Sequence, residues 1–582
     1  MTALADTSPE PLTVLQQPLP LVGRRRRAWT AGIAAAVLAI YLAGLTPHWY
    51  LGKDTGLYMN LGRNLARGDG YTIAGRPHTC VPPGLPWLIA AEMALFGEGF
   101  LALNATMCLM ALAVVLLAYR VLRELIHPDW ALLITGALAV GREMVQRSGE
   151  VLSDLPFMLV VTASIWLYLR GLRRDKPNRN GWELASLLMV AGLWVRVSAV
   201  PIVAVTPLAL LLAAGRGGRR RALLNAVLLV ALTATTLLFF RAYHRAHAAP
   251  DTLDYANAVQ SWAGDYTIFT WIGVTVRNLY LGAAKYSRLV IAQSLPVLVA
   301  TCVLVAPALV GMARRVRRGD RFGPLLTGAY VGGIAAIGLE TRYLYPLAPL
   351  LVLYLVEGWC WLARPVSTRR PAAARGVPLL LLAIVAGMNL PVSIRDVCLS
   401  RRSRHRTMQQ KGKWADTIAA GEFLRARRKP GEALLSYQTV AYLADMPCPL
   451  LSCQVRFAEP AREQLVELLR QWRIRYVLYD SRDEPEPMMA AMHAYLSERS
   501  APAFTAGSVT VYVVDSAGRP VFWLNGREPN FYSVPVPQGQ DGKLWRIRYG
   551  RGPVRLLTVP PCFARSAEEL LLPREVVEAE GD

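Results

Sequence analysis

The sequence predicts an α-helical polytopic membrane protein of about eleven spans, followed by a small α/β domain and a β-rich tail. Three observations predict it. Apolar runs recur near the roughly 20-residue length that a helix needs to cross a bilayer. Arginine clusters fall mainly in alternate gaps between those runs, which is the positive-inside signature. After about residue 395 the pattern changes to short apolar strands alternating with helices, the mark of an α/β unit. Hydrophobic residues make up 53% of the 582 and mean hydropathy is +0.29, more than a soluble chain of this length needs once its cores divide into domains.

Residues 1–27 form a cytoplasmic segment ending in Arg24–Arg27. The charge-free run Ala28 to Thr46 follows and reads as a signal anchor, because it is long enough to span and about 27 residues precede it. Spans are expected near 28–46, 101–121, 130–143, 155–170, 182–197, 199–214, 222–240, 288–311, 323–339, 343–363 and 377–394. The pair around Arg196 reads as two helices or as one broken one. The basic clusters Arg120/Arg123, Arg170–Arg174, Arg216–Arg221, Arg314–Arg318 and Arg364–Arg375 then lie inside. That places the amino terminus in the cytoplasm, the loops 47–100 and 241–287 outside, and everything after about 395 outside a plasma (inner) membrane. The same distribution accounts for the formal charge of +23. No basic stripe is interleaved with exposed aromatics, so no nucleic acid is expected as a partner.

Loop 47–100 contains a helix-like stretch (Leu57 to Arg67), a Gly68-Asp-Gly70 turn, a short hairpin through Gly75-Arg-Pro77, and an apolar stretch from Leu85 to Phe96 too short to span and suited to the interface. Loop 241–287 carries Trp262, Tyr266, Trp271, Tyr280 and Tyr286, amphipathic aromatics of the interfacial kind. Residues 395–515 make the α/β domain: helix 414–428, strand 433–436, helix 460–472, strand 474–479, helix 487–499, strand 509–514. Residues 516–582 read as antiparallel strands (521–524, 544–549, 554–558) with a turn at Asn525-Gly526 and a frayed acidic end. Cys448 and Cys453 either close a small bridge or stand free, and Cys562 is open in the same way. Neither cysteines nor the isolated His48 and His78 have zinc-ligand spacing, so no cofactor is expected, the alternative being a divalent ion bridging such groups or Glu143 and Glu150.

Three patches carry a resemblance. They are Lys53-Asp54-Thr-Gly-Leu-Tyr58 with Ala66-Arg-Gly-Asp-Gly-Tyr71 and Pro82-Pro-Gly-Leu-Pro86; Ser148 through Ser153-Asp154-Leu-Pro156; and Glu340-Thr-Arg342-Tyr343 with Pro346. Together they resemble the GT-C membrane glycosyltransferases, nearest the branch of protein O-mannosyltransferases and lipid A aminoarabinose transferases, over about the first 400 residues. The family's acidic pair in the first loop is here Lys53-Asp54, so its second carboxylate has no place there. The resemblance implies a polyprenyl-phosphate sugar donor carrying a hexose or pentose, a hydroxyl acceptor on a glycan, lipid or protein, membrane lipid as surroundings, and one inverting displacement on the outer face.

The residues are compatible with that chemistry. A hydroxyl loses a proton as it attacks, and Asp54 is placed to take it; its other role would be an N-cap. Asp154 is the second catalytic candidate, an acid beside the membrane, or again a cap reinforced by Ser153 and Pro156. A leaving phosphate calls for cations, and Arg196, Arg342, Arg142 and Lys53 are the candidates. Arg196 interrupts an apolar stretch, so it either serves the phosphate or is the buried partner of Glu143, Glu150 or Asp154. Tyr58, Glu150, Tyr343, Tyr345 and His78 complete the set as substrate contacts, although such tyrosines also populate interfacial belts. A lipid-linked-sugar transporter or flippase would show two related sets of spans, and the sequence has none. A membrane-anchored glycan-binding protein would leave Asp54, Asp154 and Arg196 without a reason to share one face.

Overall fold

The computed structural model describes residues 14–19, 24–49, 52–172, 181–215, 218–247, 268–336, 339–365, 371–410, 414–449, 462–482, 487–500, 502–515, 518, 544–548, 554–558 and 577–578. Helix α1 (Arg24–Gly44) leads to a loop made of α2 (Lys53–Arg67), the hairpin β1 (Thr72–Ile73) with β2 (Arg76–Pro77), and α3 (Gly84–Phe96). Then come α4 (Phe100–Arg123), α5 (Pro128–Ala139), α6 (Arg142–Arg147), α7 (Asp154–Leu172), α8 (Gly181–Val195), α9 (Val200–Ala213), α10 (Arg219–His247) and α11 (Ile268–Ile291). The helical body closes with α12 (Val297–Arg317), α13 (Phe322–Ala335), α14 (Thr341–Leu362) and α15 (Pro371–Gln410). Seven of these, α1, α4, α7, α10, α12, α14 and α15, are long and apolar enough to cross a membrane, and α3, α8, α9 and α13 are shorter apolar helices. The chain is a multi-pass membrane protein.

Two expected spans are broken. The run 130–143 divides into α5 and α6 because the chain turns at Val140-Gly141, where a Cβ on Gly141 would lie 2.8 Å from the Leu138 carbonyl. Twelve residues of α5 reach about 18 Å, well short of the roughly 30 Å hydrocarbon core. The run 288–311 is interrupted between α11 and α12 by Pro296 in an extended conformation and Ala292 at φ 57. Ser287 secures the break, its Oγ accepting from the Leu295 amide at 2.9 Å. Helix therefore occupies 268–287, part of the expected loop, with Phe269, Ile272 and Tyr280 exposed along it. The pair near Arg196 is two helices joined by a 3-10 turn, Val197–Ala199.

Helices α12 and α14 pack at backbone distance. A Cβ on Gly311 would fall 2.0 Å from the Tyr354 carbonyl, and one on Gly358 1.7 Å from that of Pro307. Small residues let helices approach in this way. At the Arg317 end of α12, Arg315 donates to both oxygens of Glu357 on α14 at 2.8 and 2.7 Å and to Asp320 at 2.9 Å.

Beyond α15 the chain forms a three-layer α/β unit: α16 (Ala415–Arg427), β3 (Ala433–Leu435), α17 (Gln438–Ala444), α18 (Arg462–Gln471), β4 (Ile474–Asp480), α19 (Pro487–Ser497), β5 (Phe504–Ala506) and β6 (Val509–Val513). The sheet order is β3-β4-β6-β5, with β3 parallel to β4 and the other pairs antiparallel. Strand side chains alternate between two faces, so Leu434, Leu478 and Val511 bury against α16 and α17 while Leu435, Val477 and Tyr512 bury against α18 and α19. Farther on, β7 (Leu544–Arg548) pairs with β8 (Val554–Thr558) as expected. The acidic end departs from the frayed expectation, since β9 (Val577–Glu578) pairs with Trp545 and Arg546. The expected strand 521–524, the turn at Asn525-Gly526, Cys453 and Cys562 lie outside the described residues. Cys448 is a free, buried thiol that donates to the Ser436 carbonyl at 3.2 Å.

Candidate active site

Helix α2 presents its first turn to the start of α14. Gly52 precedes the helix and no side chain caps it, so Asp54 is not the cap; it sits in the first turn, where the helix dipole favours an anion. Its carboxylate pairs with Arg342 of α14, Nη1 to Oδ2 at 2.9 Å, and the two side chains are 56% and 31% exposed. One turn along α2, the Tyr58 hydroxyl meets the Ser153 hydroxyl at 3.0 Å.

Ser153 and Asp154 lie where the chain enters α7. Arg196, at the end of α8, donates from Nη1 to Ser153 at 3.0 Å and to Asp154 Oδ1 at 2.8 Å, and from Nε to Ser198 at 3.3 Å. This pair is buried, at 12% and 3% exposure. Arg196 is thus the buried partner of an acid, one of the two roles open to it. Asp154 Oδ2, also buried, has no hydrogen-bond partner among the described residues. The ring of Tyr343 joins the two ion pairs: the guanidinium carbons of Arg196 and Arg342 each lie 5.4 Å from its centroid, within cation–π range. Burial pushes the Tyr58 phenol up, with Arg196 and the Ser153 hydroxyl pulling the other way. Tyr58 therefore stays a neutral hydroxyl.

A second cluster adjoins the first through α6. Arg147 bonds to Glu150 and lies 3.8 Å from Glu143, the Tyr345 hydroxyl donates to Glu143, and Gln146 donates to Glu150 at 2.8 Å. Burial pushes the Glu150 carboxyl up, while Arg147 and Gln146 oppose it. Sequence reasoning did not single out Arg147, although its spacing three before Glu150 and four after Glu143 is the spacing at which helical side chains meet.

Two of the candidates, Arg142 and His78, stand elsewhere. Arg142 donates from Nε to Asp396 of α15 at 2.8 Å. His78 is 1% exposed, accepts the Val81 amide on Nε2 at 3.1 Å, and is packed edge-on against Tyr71. Burial lowers its pKa to about 3, so it is a neutral group of the loop, and its Nδ1 has no hydrogen-bond partner among the described residues. Lys53 opens α2, and its side chain is outside the described set. Among the described residues, no three His, Cys, Asp or Glu side chains are gathered as a metal site.

The fold is similar to that of solved GT-C glycosyltransferases, and one stretch of the chain matches a related family model. Residues 80–249 match the family model of dolichyl-phosphate-mannose-protein mannosyltransferases. The structure is similar to ArnT from Cupriavidus metallidurans in the apo state, with TM-score 0.54 and 12% identity over 83% of this chain and 97% of that one. ArnT bound to undecaprenyl phosphate matches with the same TM-score at 13% identity over the same shares. The Archaeoglobus fulgidus oligosaccharyltransferase tethered with an acceptor peptide matches with TM-score 0.52 and 11% identity, over 95% of this chain and 75% of that one. At these identities the likeness is one of fold. No curated protein matches the chain by sequence.

Proposed function

We propose that the chain is an inverting glycosyltransferase of the inner membrane, moving a hexose or pentose from a polyprenyl-phosphate carrier to a hydroxyl acceptor on a glycan, lipid or protein. The site face and the α/β unit lie outside the cytoplasm, on the side opposite the arginine clusters. The observation that carries the reading is the exposed Asp54–Arg342 pair set beside the buried Asp154–Arg196 pair.

The exposed pair is loosely held, because solvent screening leaves such pairs worth about 0–1 kcal/mol. A lipid phosphate arriving at the site takes Arg342, whose planar fork can grip two phosphate oxygens. Asp54 is released by the same exchange. The acceptor oxygen then attacks the anomeric carbon, its proton passes to Asp54, and the bond from that carbon to the phosphate oxygen breaks. The extra negative charge that develops on the phosphate is met by Arg342. Asp154 and Arg196 are the positioning pair: they hold Tyr58, Ser153 and Tyr343 in place without themselves being exposed. No metal enters the proposed reaction. The test is transfer of radiolabelled sugar from purified polyprenyl-phosphate donor by the protein in nanodiscs. Asp54→Asn is expected to lower it by about 10²-fold or more, and near-normal turnover would remove Asp54 from the chemistry.

A further inference from the structure

A cavity of about 390 Å³ lies between α2 with its hairpin and α17 with the chain just after it, within the roughly 300–1,000 Å³ of small-molecule sites. Its polar wall includes Asn60, Arg63, Arg67, Asp69, Gln438 and Asp445. It is a different face of α2 from the one bearing Asp54 and Tyr58. Six residues on from Asp54, Asn60 is turned by about 120° and displaced by about 9 Å along the axis. The reacting groups therefore look one way and the cavity another, along one rigid helix.

The walls are fixed in advance. A Cβ on Gly56 would lie 2.3 Å from the Thr439 amide nitrogen, so glycine lets α17 rest on α2. The Thr439 hydroxyl donates to the Gly52 carbonyl at 2.6 Å, and Asn60 Nδ2 donates to the backbone and side-chain oxygens of Gln438 at 2.8 and 2.9 Å. Arg63 and Arg67 reach Asp445 at 3.1 and 3.0 Å. Burial alone would raise the Asp445 carboxyl, and the hydrogen bonds from Arg428 and Arg67 outweigh it, holding it at about 2.

Two observations point to an occupant. Arg63, whose side chain is 8% exposed, lines the cavity with an Nε that has no hydrogen-bond partner among the described residues, an arrangement that is costly unless something supplies an acceptor. In addition, the wall carries two arginines and two aspartates. A phosphate would meet as many carboxylates as guanidiniums, whereas hydroxyl groups can donate to Asp69 and Asp445 and accept from Arg63.

We propose that this cavity binds a neutral sugar unit of a carbohydrate acceptor, a reading that rests on the glycosyltransferase function above. An acceptor of more than one unit would lie along α2, anchored in the cavity and reacting at Asp54. The test is saturation-transfer-difference NMR on the full chain in nanodiscs, with methyl glycosides of hexoses and pentoses, their disaccharides and inorganic phosphate as probes. Asp54→Asn protein is run in parallel, so that binding is read without turnover. At least one neutral glycoside is expected to bind wild type and Asp54→Asn equally, with Asp69→Ala and Arg67→Gln each weakening it about tenfold. Asp69 is exposed, so its replacement leaves the fold alone. The proposal is overturned if no neutral glycoside binds, if both variants bind as wild type does, or if phosphate displaces the glycoside. Glycoside binding together with undiminished transfer by Asp54→Asn would support the cavity and sink the catalytic assignment instead.

Discussion

Two charged regions at opposite ends of α14 differ in how completely their hydrogen bonds are filled. At the Glu357 end, Arg315 is bidentate to Glu357 and bonded also to Asp320, with the Arg315 and Glu357 side chains 7% and 4% exposed. At the Arg342 end, Asp54 and Arg342 share one contact in the open, and the neighbouring Asp154 keeps a buried oxygen with no hydrogen-bond partner among the described residues. Charge inside a membrane protein is costly at both ends. What separates them is saturation: a filled network locks two helices, while an incompletely filled one can exchange partners with a substrate.

The largest expected effect sharpens the closed end. Glu357→Ala leaves Arg315 buried without its main partner and is expected to cost about 3–5 kcal/mol of stability, read as a fall in thermal unfolding temperature in nanodiscs, with transfer per folded molecule unchanged. A selective loss of turnover in well-folded protein would break the contrast.

Asp54→Asn is the mirror experiment. Stability is expected to change by less than about 1 kcal/mol, because the pair is exposed, while transfer falls by about 10²-fold or more. A variant as unstable as Glu357→Ala would place Asp54 in the structural class.

The loop beside the open end has its own buried group, His78. In the native loop its pKa is about 3, against about 6.5 when unfolded. Below pH 6.5 the opened loop takes up a proton that the native histidine refuses, so stability falls as pH drops toward 3. By pH 5 local opening is expected to be easier by about 2 kcal/mol, measured as a loss of amide protection over residues 71–81 after correction for intrinsic exchange. His78→Asn should flatten the dependence, and a protection profile that is level from pH 7 to 5 in the wild type would show that His78 is not buried neutral.

The smallest effect is none. EDTA is expected to leave the initial transfer rate within about twofold, since the open end relies on side-chain cations; a large loss, restored by one divalent ion, would mean that the incomplete cluster holds a metal.

The helical body was legible because apolar runs and arginine clusters are local signals, and so were β3, β4 and β6, whose alternation lies within single segments. The site was legible in its parts: Asp54, Asp154, Arg196 and Arg342 were all marked as charges out of place. Asp154 stood among three possible partners of Arg196, but the pairing of Asp54 with Arg342 was not legible, because the two meet across 288 residues of sequence and no local pattern encodes it. Tyr343 read as a substrate contact or an interfacial tyrosine, and only the three-dimensional arrangement puts its ring beside two guanidiniums. The breaks at Gly141 and Pro296 were missed because hydropathy averages across them.

The bond from Asn60 to Gln438 joins residues 378 apart in the chain. At about 5–20 residues per second, the ribosome needs roughly 20–75 s after making α2 before α17 exists. Through that interval α2 lies finished beside the membrane with Asn60, Arg63 and Arg67 lacking their final partners. The cavity is therefore among the last features of the protein to be assembled, and a chain stopped at the end of α15 would have made nearly all of its helical body with α2 still lacking the surface it rests on.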